Sequence, residues 1–259
     1  MPLALPAPDP ASLPRTPLDL VVCQIRFENK LENTAPQVGL AFHEAIGGPD
    51  GDYSRLNEVK GQGVDVDLSR AQVNRTEGPH GWQYQSRNAA WTVSLFPDHV
   101  ALECHSDYPG WDEFSARLDQ IIKALVDHVE PAIEHRVGLR YIDHIAEIEA
   151  TRPSDWVRFL APEILGFAAH ESLGQHIVHA RQQVLLDLGE DYQCVINHGF
   201  VPGDNGRLGY GLDYDVSREG GRPFDVETLR ETLGVLHDDA LKLFQASITS
   251  DLHDFFAQT

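Results

Sequence analysis

The first regular pattern along the chain is an alternation of apolar and polar residues from Leu18 to Phe27. Val21, Cys23 and Ile25 fall on one side of an extended chain, and polar side chains fall on the other. This is the period of a strand with one buried face. Three more stretches carry strand patterns with short connections, which predicts an antiparallel meander. They are His80 to Arg87, Ala90 to Phe96 and His99 to His105.

The pattern changes to the period of a helix after Pro109. From Trp111 to Val129, apolar residues recur three and four positions apart, which predicts a long helix with one buried face. A second long helix is predicted from Asp225 to Phe244, with Asp225 as its N-cap. The shorter predicted segments are a helix from Pro36 to Ile46, a polar stretch with at most a weak strand pattern from Tyr53 to Asn74, and a tail helix from Ser250 to Phe256.

The second half of the chain shows the same order of patterns as the first. Val137-Gly138-Leu139-Arg140-Tyr141 repeats the order apolar, polar, apolar, Arg, aromatic found in Cys23-Gln24-Ile25-Arg26-Phe27. A strand, a helix, three strands and a long helix therefore occur twice, which indicates an internal duplication. The remaining elements predicted in the second half are a strand from Arg136 to Ile145, a helix from Ser154 to Leu165, and strands from Gln175 to Leu188, Tyr192 to Phe200 and Leu208 to Val216.

These patterns predict an α+β fold. The duplicated units would form an antiparallel sheet with helices on one face and a polar open face, similar in shape to the helix-grip and TATA-binding-protein-like folds. Residues 1–17 contain six prolines and are predicted to form an extended arm. Residues 18–130 and 131–259 are predicted to be two half-domains fused into one globular unit.

The amino-acid composition excludes some classes of binding partner for this chain. The 259 residues include 40 acidic and 20 basic ones, for a formal charge of −20, which argues against binding duplex nucleic acid or anionic lipid. No window approaches the about 18 consecutive apolar residues of a membrane span. The three cysteines match no disulfide or zinc spacing, and no secretory signal is recognisable, so a cytoplasmic location is expected.

Several segments carry a family resemblance over nearly the whole chain from Pro17 onward. They are Pro17-Leu18, Val21 to Phe27, Trp82, Trp91 to Leu95, Val137 to Ile142, Ile248-Thr249 and Leu252. The chain resembles a sporadically distributed, functionally uncharacterised bacterial family of about this length. It departs from that family at Asp19, where Glu is expected, and at Asp143, where Asn is expected. The patchy distribution implies horizontally moved genes, such as those of defence or toxin-antitoxin modules, and assigns no catalytic residue or cofactor.

Two arginines at equivalent steps of the repeat, Arg26 and Arg140, are the first candidates for a ligand site. Both are predicted on the polar face of their strands, where two guanidinium groups could clamp a carboxylate or phosphate. The alternative is that they form cross-strand ion pairs with nearby carboxylates. The candidate carboxylates are Glu28, Glu103, Asp213 and Asp215, and the other ligand-binding candidates on the same face are Gln24, His144, His179 and Arg181.

A metal site is a second hypothesis. Glu103 and His105 occupy the step of the repeat where Asp213 and Asp215 fall. Carboxylate oxygens with one imidazole could hold Mg²⁺ or Mn²⁺ and activate water on a phosphoester. The alternative is a solvated acidic face. His176 and His179 are a weaker metal pair, because a strand would point them to opposite faces.

The chain contains no phosphate-binding loop, dinucleotide fingerprint, nucleophile elbow or zinc-protease motif. We therefore expect a non-catalytic binding or interaction protein, an accessory of a bacterial defence or toxin-antitoxin module. A protein partner is expected, and a small anionic ligand is an additional possibility. The alternatives are a metal-dependent phosphoesterase or nuclease, and a small-molecule-binding helix-grip protein with a cavity near Trp82, Trp91 or Tyr141.

Overall fold

The computed structural model describes residues 3–9, 15–67, 72–105 and 107–258. Within these residues the chain forms nine strands and five α-helices. In chain order they are β1 (Leu18–Phe27), α1 (Pro36–Ala45), β2 (Arg55–Asp67), β3 (Gln72–Gln85), β4 (Trp91–Phe96), β5 (His99–His105), α2 (Trp111–His128), β6 (Ile133–Ile145), α3 (Pro162–Leu165), β7 (Arg181–Gly189), β8 (Tyr192–Pro202), β9 (Leu208–Pro223), α4 (Val226–Ser247) and α5 (Ser250–Ala257).

The fold is α+β, with a large antiparallel sheet. Its strands are hydrogen-bonded in the order β2-β3-β4-β5-β1-β6-β9-β8-β7. Consecutive strands pair through short hairpins, as in β4 with β5 and β8 with β9. The predicted α+β class and antiparallel meander are therefore confirmed, and β2 and β7 are the two edge strands.

The chain divides into two compact units. Unit 1 contains residues 1–22, 137–219 and 227–259, and unit 2 contains residues 23–136 and 220–226. The strands β1, β6 and β9 each contribute residues to both units. The division into half-domains at residues 18–130 and 131–259 stays a prediction. The two units divide the chain at other points, and unit 1 joins the first 22 residues to most of the second half.

In unit 2, helix α2 supplies the apolar face that the sequence pattern predicts. Phe114, Leu118, Ile121 and Ile122 recur at helical spacing and are buried, whereas the other positions from 115 to 120 are more exposed. Burial of each such side chain is worth about 1.5–3 kcal/mol. Asp112 and Glu113 lie in the first turn, where carboxylates interact favourably with the helix dipole.

In unit 1, helix α4 buries a similar stripe. Leu229, Leu233 and Leu236 lie on its buried face. The buried Tyr214 of β9 donates its hydroxyl proton to Ser247 Oγ at 2.7 Å, which ties the sheet to the end of α4. None of the helices in the described part of the chain is long and apolar enough to cross a membrane.

The N-terminal arm contacts the rest of unit 1 through its backbone. Asp9 exchanges hydrogen bonds with the side chain of Gln245, at 3.0 and 2.7 Å, and the Arg15 amide donates to the Phe256 carbonyl at 3.1 Å. Residues 1, 2 and 10–14 of the predicted arm lie outside the described residues.

The polar stretch from 53 to 74 carries at most a weak strand pattern in the sequence, yet the structure forms strands there. Most of it belongs to β2 and β3, although residues 68–71 lie outside the described part. In the described register, Trp82–Gln85 of β3 pairs with β4, whereas residues 72–77, 80 and 81 pair with β2. A two-stranded ribbon does not need the apolar alternation that a core imposes on a sheet face, so the sequence carries little signal there.

The strand predicted from Gln175 to Leu188 begins later, at Arg181. Gly174–His176 forms a short 3₁₀ turn instead, and His179 precedes the strand. A Cβ at Gly174 would lie 2.3 Å from the Ala168 carbonyl oxygen, so a close backbone contact holds this turn. The helix predicted from Ser154 to Leu165 is likewise divided into a 3₁₀ segment and the short α3.

Candidate binding site

The open face of unit 1 carries a row of hydrogen-bonded side chains across four adjacent strands. Arg140 on β6 donates from Nε and Nη2 to the two carboxylate oxygens of Asp213 on β9, both at 2.7 Å. Asn197 Nδ2 donates to Asp213 Oδ2 at 3.1 Å, and Gln183 Nε2 donates to Asn197 Oδ1 at 2.7 Å. We call these four residues the polar row.

Sheet register builds this row. Asn197 lies directly opposite Asp213, and Gln183 lies directly opposite Asn197. Side chains at opposite positions of antiparallel strands project from the same face, so consecutive partners meet. Backbone pairing therefore sets the positions of Gln183, Asn197 and Asp213 in the row.

The ion pair in the row is partly shielded from solvent. The Arg140 side chain is 44% exposed, whereas that of Asp213 is 14% exposed. The hydrogen bonds to Asp213 raise the pKa of Arg140 above its ordinary value, against an opposing effect of burial. The sequence gives Asp213 as a candidate ion-pair partner of Arg140, and the structure pairs them. The carboxylate charge locally offsets that of the guanidinium.

A hollow of about 410 Å³ lies beside the polar row. Gly199 of β8 and Gly211 of β9 are opposite each other in the register, so no side chain covers the sheet there. A Cβ at Gly199 would lie 2.4 Å from the Ala180 carbonyl oxygen, whereas a Cβ at Gly211 would meet nothing nearer than Val201 Cγ1 at 3.5 Å. Packing therefore requires glycine at 199 but not at 211.

The hollow has an apolar floor and a cationic rim. Its side chains include Ile142, Val201 and Arg181. Arg181 is exposed, and its side chain makes no hydrogen bond or ion pair with any residue in the described ranges. Its guanidinium is thus available to a carboxylate or another small anion.

Asp143 occupies the opposite side of β6 from Arg140, because neighbouring strand positions alternate between faces. It is only 6% exposed. Burial, reinforced by the charge of Asp213, raises the pKa of Asp143 to about 8. The side chain is therefore mainly neutral at pH 7, and it has the shape of the asparagine that the family resemblance places there.

The remaining ligand-binding candidates differ in their location, burial and hydrogen-bond partners. Arg26 lies in unit 2, where it pairs with Asp98 at 3.6 Å and not with the carboxylates named for it from the sequence. Gln24, its neighbour on β1, is half-buried. His144 Nε2 donates to the Pro202 carbonyl at 3.2 Å, and His179 is exposed before β7 begins.

The residues of the metal hypothesis lie in different units. Glu103 and His105 are in unit 2, with Oε2 and Nε2 3.1 Å apart. Asp213 and Asp215 are in unit 1, where Asp213 is engaged by Arg140. Among the described residues there is no group of three or more His, Cys, Asp or Glu side chains placed to hold a metal ion. The four-residue metal site stays a prediction.

The aromatic residues expected near a ligand cavity take part in local packing. The Tyr141 hydroxyl lies 2.8 Å from His237 Nδ1 in unit 1. In unit 2, the Trp91 ring lies 4.4 Å below the guanidinium of Arg117, beside an open cavity of about 660 Å³. Trp82 donates from Nε1 to the Thr34 carbonyl at 2.9 Å.

The edge strand β7 is the feature that sequence reasoning missed. Its first five residues are all exposed, so neither face of this segment is covered. Val184 is 38% exposed and Leu185 is 65% exposed. The sequence predicts a strand here, and nothing in the local sequence marks it as the end of a sheet.

No family model matches the chain, and no curated protein matches it, which is consistent with the resemblance to a functionally uncharacterised family. Among solved structures, the chain is similar to a glycopeptide hexose oxidase complexed with teicoplanin, with a TM-score of 0.20 and 8% sequence identity. The match covers 92% of this chain and 46% of the oxidase chain, so this chain spans less than half of that protein. A likeness this weak carries no argument about fold or activity.

Proposed function

We propose that this protein is a non-catalytic interaction protein that binds an extended protein segment along the edge of β7. The observation that carries the proposal is the exposure of Val184 and Leu185 on a strand that ends the sheet. An edge strand presents unpaired backbone donors and acceptors, and natural proteins usually protect such edges with charge, proline or a covering element. An aliphatic edge is instead suited to β-strand addition.

The neighbouring surface supports the same proposal. Val178 and Phe167, close to β7 along the chain, are also strongly exposed. The polar row ends at Gln183 of β7, and its hydrogen bonds hold a defined pattern of donors and acceptors beside the edge. Main-chain pairing would supply affinity, and these side chains would supply specificity.

The biological setting that we propose is a bacterial defence or toxin-antitoxin module, in which this chain is a cytoplasmic accessory. The family resemblance motivates this setting. We also propose that the architecture arose by internal duplication and is of the helix-grip or TATA-binding-protein-like kind. The equivalent positions of Arg26 and Arg140 in the opening strands support the duplication.

A photo-crosslinking amino acid at position 185 tests the edge. Expressed in the native host, this variant is expected to form a covalent adduct on illumination. A matched control is position 235 of α4, since Val235 is also exposed and lies in the same unit. Adding Val184→Lys should reduce the yield at 185, because a charged edge disfavours strand addition. An equal yield at both positions, or none at 185, would contradict the proposal.

A second candidate function is the binding of a small carboxylate in the hollow. Arg181 at the rim and the uncovered apolar floor near Gly211 favour it. Titration with acetate, followed by NMR of the Arg181 side chain, should give saturable shifts in the natural protein. Gly211→Leu, which fills the floor, should abolish them, whereas shifts that persist in this variant would show that the hollow is not the site.

A further inference from the structure

The charges of β7 are arranged symmetrically about Val184, one residue from the centre of the strand. Arg181 and Asp187 are the charged residues of the strand, and each lies three positions from Val184. Both are exposed. They share the open face of the sheet, because side chains an even number of positions apart project from the same side of a strand.

This arrangement is complementary to itself. When two copies of β7 run antiparallel with Val184 opposite Val184, Arg181 of each copy lies opposite Asp187 of the other. Opposite charges at directly opposed positions stabilise an antiparallel pair. A parallel pairing in the same register would instead place like charges side by side.

We infer that the segment bound by β7 is β7 of a second copy of this chain. The inference rests on the proposed function, since it names the partner of the same edge. The contact is isologous about a two-fold axis through Val184, as in most homodimers. It covers the exposed backbone edge of both copies and brings Leu185 of one copy opposite Gln183 of the other.

The Asp187 carboxylate can serve in this contact without losing its local role. Its Oδ1 accepts a hydrogen bond from the Gly189 amide at 2.8 Å, beside an irregularity in the register with β8. Its second oxygen has no partner among the described residues and is available to a guanidinium. The Arg181 side chain likewise has no partner in the described ranges.

Sedimentation velocity over a wide concentration range tests the inference with charge-reversal variants. The natural protein is expected to dimerise. Arg181→Asp places Asp opposite Asp at both ends, and Asp187→Arg places Arg opposite Arg, so each variant should dimerise roughly tenfold more weakly or worse. An equimolar mixture of the two should form a heterodimer, because both ends are then complementary. Arg87→Asp, at an exposed position in unit 2, is the matched charge control and should dimerise like the natural protein.

Circular dichroism checks that each variant folds, and Asp187→Asn provides a milder change that keeps an oxygen acceptor for Gly189. The inference is overturned if the natural protein stays monomeric, or if neither charge reversal weakens its dimerisation. If the crosslinker at 185 captures a different protein while the chain is monomeric, the proposed function stands and this inference fails. If the crosslinker at position 185 captures nothing and the β7 variants dimerise like the natural protein, the proposed function and this inference both fail.

Discussion

Replacing the buried Asp143 by Asn should make the protein more stable at neutral pH and change how its stability depends on pH. The two side chains have nearly the same shape, but the amide cannot ionise. In the natural protein, burial raises the pKa of Asp143 from 3.8 to about 8. The folded state therefore binds a proton that the unfolded state releases between these two values.

The sign and size follow from proton linkage. Because the folded state holds more protons in this window, stability falls as pH rises from about 4 to about 8. The slope approaches about 1.4 kcal/mol for each pH unit, so this residue costs the natural protein about 3 kcal/mol between about pH 5 and about pH 7. Asp143→Asn removes that cost.

Urea unfolding of the natural and variant proteins at several pH values between those limits measures the difference. The free energy of unfolding of Asp143→Asn minus that of the natural protein should rise steadily with pH. Asp143→Ala is the control, since it also removes the ionisable group but loses packing, so its difference should rise in parallel from a lower starting value. A difference between Asn and Asp that does not change with pH would refute the reasoning.

Three further predictions concern other contacts. Backbone hydrogen bonds outweigh burial and lower the pKa of Glu28 to about 2. In urea unfolding, Glu28→Gln should therefore lose about 1–3 kcal/mol of stability at neutral pH and little near pH 2. Gly199→Ala should cost about 1–3 kcal/mol through its clash, whereas Gly211→Ala should change the melting temperature little. Arg140→Lys, which cannot form the fork to Asp213, should cost about 1 kcal/mol; an unchanged melting temperature would contradict this.

The sequence by itself determined the elements that have one buried face. The bounds of β1 and β5 were predicted to the residue, and α2 and α4 were placed within a few residues. When one face of an element packs against a core, apolar residues recur every two positions in a strand and about every 3.6 positions in a helix. This period can be recognised in the sequence. The β2 and β3 ribbon, which pairs mainly within itself, left no such signal.

Only the tertiary structure decided what the polar residues do. Arg140 and Asp213 are 73 positions apart, and their pairing depends on β6 and β9 being neighbours in the sheet. The high pKa of Asp143 depends on which face of β6 is covered. The exposure of Leu185 depends on β7 being the last strand, and no local pattern encodes that position, because an apolar strand looks the same at the centre of a sheet and at its edge.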